Sequence, residues 1–147
     1  MERSIYVTAI IPRDGETLSD WIPRAPDSLA VPYFEVDEGA GTIFIAPQHA
    51  RPAFCGDCSP AVADNAIARM RPSPLAPLGT PVRLTAERYG RIPRSYIRCE
   101  LDRTLPPATQ TLICEASPCD RVESLAAGHY PFCGKPSQLA AALLAEV

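Results

Sequence analysis

Arg94-Ser-Tyr-Ile-Arg-Cys99, running on into Glu100-Leu-Asp102-Arg103, is the stretch that decides the fold. Pro93 bounds it on one side, and the segment between Pro93 and Glu100 reads as a strand. The acidic residues then mark a loop at its C-terminal end. Pro106 and Pro107 open a helix through Thr109, Leu112, Ile113 and Ala116, and Pro118 stops it. Asp120 to Leu125 alternates as a second short strand. Gly128-His129-Tyr-Pro-Phe132 is a loop, and Pro136 starts a last helix with Leu139, Ala142, Leu143 and Val147 on one face. Strand, helix, strand, helix is βαβ order. It predicts an α/β fold with a short, mostly parallel sheet of about three strands covered by helices.

Working outward, Ser4 to Ile11 is apolar on both faces, so it is expected as a buried parallel strand ended by Pro12. Ten of the chain's 17 prolines fall between Thr17 and Glu87. The segment is too long for a plain loop. It reads as an inserted lid of short helices and turns, giving one domain over 1–147: a core strand at 1–12, a lid at 13–90 and a C-terminal core at 91–147. One lid helix is clear. Ser59 stands at its N-cap and Pro60 at its first position, with Val62, Ala66, Ile67 and Met70 on one face. Arg83 to Arg88 forms a short turn closed by Gly90.

Hydrophobic residues make up 46% and charged residues 21%, which fits a folded globular domain. The longest run without a polar residue, Leu139 to Ala145, is far below the roughly 20 residues of a membrane span. The net charge of −3 argues against nucleic acid as a partner. The first sixteen residues have no small-residue cleavage site, so a cytoplasmic protein is expected.

Six cysteines, at 55, 58, 99, 114, 119 and 133, lack the secreted context that a disulfide framework requires. Cys55-Gly-Asp-Cys58 is a CxxC, open to a thiol role or to zinc with His49 as a third ligand. No second CxxC follows, and the expectation is no metal and no cofactor.

Ligands of open parallel sheets bind beyond the carboxyl ends of the strands. Asp102 and His129 each follow a strand there, one strand–helix–strand unit apart. Neighbouring strands would bring the two loops together, and a carboxylate could then fix the imidazole tautomer. A surface Asp and a loop His are the alternative.

The flanking residues narrow the choice. Ile92 to Pro106 resembles the α/β-hydrolase segment that carries the triad acid. Gly128-His129-Tyr130-Pro131-Phe132 is similar to the family's histidine segment, and Lys135-Pro136-Ser137-Gln138-Leu139 to the start of its last helix. Ser4 to Gly15 looks like the sixth strand and its exit. Phe54 to Pro60 resembles a lid segment of the esterase and hydroxynitrile-lyase branch. The resemblance covers nearly the whole chain, but only the C-terminal half of that fold.

The resemblance implies Asp102 as orienting acid, His129 as general base and a serine ester hydrolase of carboxylesterase type. Tyr130 stands where the lyases carry lysine, which favours esterases. The nucleophile elbow G-x-S-x-G is not in these 147 residues, nor is a His-Gly-Gly oxyanion segment. Cys55 or Cys58 as nucleophile is a further option. Three readings follow: a serine ester hydrolase present as its C-terminal half, a non-catalytic binding or relic module that pairs with another chain, and a small zinc or thiol protein. Self-association or a separate N-terminal half is expected, because the strand at Ser4–Ile11 would leave an apolar edge open. Trp21, Tyr33, Phe34 and Phe44 in the lid suggest a small hydrophobic ester as substrate.

Overall fold

In the computed structural model, which describes residues 3–145, β1 (Ser4–Val7), β5 (Arg94–Cys99) and β6 (Arg121–Leu125) form a parallel sheet in the order β1-β5-β6. This is the three-stranded α/β arrangement that the βαβ order predicts. The crossover from β5 to β6 is α4 (Pro107–Ala116), and α6 (Pro136–Leu144) follows β6 after the short α5 (Pro131–Gly134). Side chains alternate across β5. Tyr96 packs with Ile11, Trp21, Leu105 and Ile113 on one face. Ile97 packs with Leu139 and Ala142 of α6 on the other. The central strand is thus covered on both faces, with Tyr96 buried on one and Ile97 on the other.

β1 is shorter and less buried than expected. It ends at Val7 rather than running to Ile11, and all four of its residues are only half-buried. It stands at one end of the strand order, so β5 is the strand that covers it. Thr8 ends the strand, with φ at +38°, a left-handed value that a β-branched residue rarely adopts. Beyond it the chain leaves the sheet, and Tyr96 Oη donates to Ala9 O at 2.9 Å. The turn at Thr8 therefore does what Pro12 was expected to do.

Between β1 and β5 lie α1 (Pro47–Phe54), α2 (Pro60–Ala68) and α3 (Ala76–Gly79). They share the segment with an antiparallel sheet that the sequence reading did not foresee: β2 (Phe34–Asp37), β3 (Thr42–Ile45) and β4 (Ser73–Pro74). Its hairpin turns at Gly41, whose φ of +62° suits glycine. α2 is the helix expected after Ser59, which has the extended backbone of an N-cap but makes no side-chain capping bond. Its buried residue is Ala63, while Val62 is 38% exposed. Ala66, Ile67 and Met70 do pack inward, against a core made by Ala30, Ile45, Ala50, Ala53, Phe54 and Cys55. Tyr130, from the loop after β6, packs on the same cluster and joins the two parts of the molecule. No helix among the described residues is long and apolar enough to cross a membrane.

Candidate active site

The loops that leave β5 and β6 are tied to each other by backbone hydrogen bonds. Glu100 N–H donates to Leu125 O and Leu101 N–H to Ala127 O, at 2.9 and 3.0 Å. This pairing prolongs the ladder past the strand ends and delivers Asp102 and His129 to one place. His129 Nδ1 lies 2.8 Å from Asp102 Oδ2. The Asp102 side chain is fully enclosed, whereas that of His129 is 21% exposed. A carboxylate only accepts, so this geometry fits Nδ1 as the N–H that donates and Nε2 as the free lone pair.

Three further donors hold the carboxylate. Thr104 N–H and Leu105 N–H donate to Oδ1 at 2.7 and 2.8 Å. Thr8 Oγ1 donates to Oδ2. The acid is thereby balanced by neutral donors in a site closed to water, where an unpaired charge would be costly. Gln110, fully buried on α4, fastens the same loop. Its Oε1 accepts from Cys99 N–H at 3.0 Å, and its Nε2 donates to Cys99 O and Leu105 O at 2.9 and 2.8 Å. Neither Thr8 nor Gln110 was singled out in the sequence. A glutamine between Thr109 and Ile113 on the inward face of α4 was the available signal.

His129 opens onto a cavity of about 800 Å³ between the parallel sheet and the segment that joins β1 to β5. Ile22, Phe34, Phe44, Phe54 and Met70 are among its mostly apolar lining. Phe54 also meets the His129 ring, at 5.3 Å between centroids. Of the aromatics expected to meet a substrate, Trp21, Phe34 and Phe44 reach the cavity. Tyr33 does not line it, and stacks on His49 at 3.8 Å between ring centroids.

The CxxC residues have a different environment. Burial first, then the neighbouring Cys55 and Asp57, pushes the Cys58 thiol up to about 11. Burial likewise raises Cys55. A nucleophilic thiolate needs the opposite shift. Among the described residues no three His, Cys, Asp or Glu side chains are grouped to hold a metal.

No family model matches the chain. It is 32% identical over 109 residues to α/β hydrolase nvfD of Aspergillus novofumigatus, across 74% of this chain and 41% of that protein. It is 42% identical over 80 residues to a chloroplastic protein of Arabidopsis thaliana named as a methylesterase, across 54% of this chain and 23% of the other. It superposes on the crystal structure of a pyrethroid hydrolase from Sphingobium faniae JZ-2 with a TM-score of 0.78 and 28% identity, covering 96% of this chain and 58% of that one. The chain thus spans less than two thirds of the length of each of these proteins. The likeness in sequence and the likeness in fold point the same way, and the chain belongs to the α/β-hydrolase family.

Proposed function

We propose that this chain supplies the acid and the general base of a serine ester hydrolase, and that the nucleophilic serine comes from polypeptide outside these 147 residues. The observation that carries the reading is the 2.8 Å contact of His129 Nδ1 with the enclosed Asp102 carboxylate. In this reading His129 Nε2 takes the serine proton as the hydroxyl attacks the ester carbonyl, and returns it to the departing alcohol. Asp102 keeps the ring in the required tautomer and balances the imidazolium. The substrate is a small hydrophobic ester, which suits the apolar cavity beside His129. The serine would be brought by a separate N-terminal half or a second chain docked at the β1 side of the sheet.

The test is to read the same frame upstream of the Met1 codon and to assay the longer product, or a co-expressed N-terminal half, on a short-chain nitrophenyl ester. Turnover abolished by His129→Ala supports the proposal, and turnover indifferent to that change sinks it. A second reading, a binding module without chemistry, is favoured by the lack of G-x-S-x-G in the sequence. It prevails if no frame or partner supplies the serine and the chain alone binds an apolar ester without consuming it.

A further inference from the structure

Two glycines bracket the histidine loop: Gly128 directly before His129, and Gly134 at the end of α5. Neither has a positive φ, so backbone freedom does not explain them. Space does. A Cβ on Gly128 would collide with Asp57 Oδ1, and a Cβ on Gly134 would lie 2.8 Å from Asp57 Oδ2. One carboxylate fills the room that both glycines leave. It also accepts the Gly128 N–H at 2.8 Å through Oδ2. Asp57 belongs to the turn between α1 and α2, so the grip comes from the lid. Phe54, the last residue of α1, lies against the rings of His129 and Tyr130, at 5.3 and 5.2 Å.

We infer that Asp57 is a positioning residue: its carboxylate, wedged between Gly128 and Gly134, sets the backbone of the histidine loop and so the alignment of His129 on Asp102. The inference rests on His129 being the general base, but its test does not use turnover. The lid and the imidazole are then mechanically one unit. A charge-assisted bond to a backbone N–H is among the stronger hydrogen bonds, and Asp57 has a small, specific target. Its loss frees the residue next to His129, and the imidazole hydrogen bond is the first thing to loosen.

The measurement is the exchange of the His129 Nδ1 proton with water, followed by NMR on the full chain labelled with ¹⁵N-histidine. Asp57→Ala is expected to speed exchange by about tenfold or more, the scale of losing one charge-assisted bond. Asp57→Asn retains a neutral acceptor of the same shape and should recover about half of that loss, leaving exchange about threefold faster than in the parent. Exchange unchanged in a folded Asp57→Ala protein overturns the inference, as does an Asn variant that exchanges as fast as the Ala one. Should Asp57→Ala not fold, Gly134→Ala decides: the added methyl displaces the carboxylate and should speed exchange similarly, and unchanged exchange there overturns it. Because the readout is a hydrogen bond, it stands or falls separately from the ester assay.

Discussion

Thr8 and His129 share one oxygen. The threonine hydroxyl donates to Asp102 Oδ2, the same atom that faces His129 Nδ1. Thr8 reaches it from the end of β1 with its backbone in the left-handed region, a conformation that costs of order 1–3 kcal/mol and persists only where surroundings impose it. Thr8 is thus the counterweight to the histidine on the acid. Thr8→Val keeps the branched shape and removes the donor. It is expected to destabilise the fold by about 1–3 kcal/mol, read from the midpoint of urea unfolding. Thr8→Ser should lose less than half as much.

Asp102 accepts from four donors in all. An asparagine at 102 has one acceptor oxygen, so some of these donors lose their partner whichever way the amide turns. Asp102→Asn should therefore cost about 2–4 kcal/mol, measured by the same unfolding. In a protein that also carries the serine, its kcat/KM should fall by about 10³–10⁴-fold. A fall of less than about tenfold would remove Asp102 from the catalytic role.

Gln110 is the brace beneath the acid loop, satisfying three backbone groups at once. Gln110→Leu fits the volume but leaves those groups unpaired in a dry site. A loss of about 2–4 kcal/mol is expected. Gln110→Glu keeps the acceptor for Cys99 N–H but removes both donors, and should also destabilise. Denaturant midpoints of the two variants, compared with the parent, check this.

The Cys58 thiol titrates at about 11 in the fold against 9.0 as a free side chain, because burial disfavours its anion. A raised pKa means the folded state favours the protonated thiol. That contribution to stability is fully present below about pH 9 and is lost as pH rises through about 11. At about pH 8 the native thiol is about a hundredfold poorer in thiolate than the unfolded one. Alkylation of native Cys58 by iodoacetamide should be slower by at least that factor, as followed by mass spectrometry. A native rate equal to the unfolded rate would revive the thiol reading of Cys55-Gly-Asp-Cys58.

Much of this was legible in the chain. Prolines at 93, 106, 107, 118 and 136 and the short strand segment at 94–99 set the order of strands and helices, because they act on their own backbone and near neighbours. The motifs around Asp102 and His129 carried the family and pointed to the two residues that the fold brings within 2.8 Å of each other. Other features depended on partners remote in sequence. The sheet of β2, β3 and β4 joins segments that look like weakly periodic loops, and the pairing of β3 with β4 across 30 residues leaves no local trace. Thr8 owes its strained backbone to a carboxylate 94 positions away. Gly128 and Gly134 look like loop glycines, and only the placing of Asp57 between them explains why a side chain is excluded. Local sequence determined the order of the core strands and helices after Pro93. The tertiary structure decided that Thr8 and His129 reach Asp102 and that Asp57 meets the Gly128 N–H, because those contacts exist only once residues far apart in the chain are packed together.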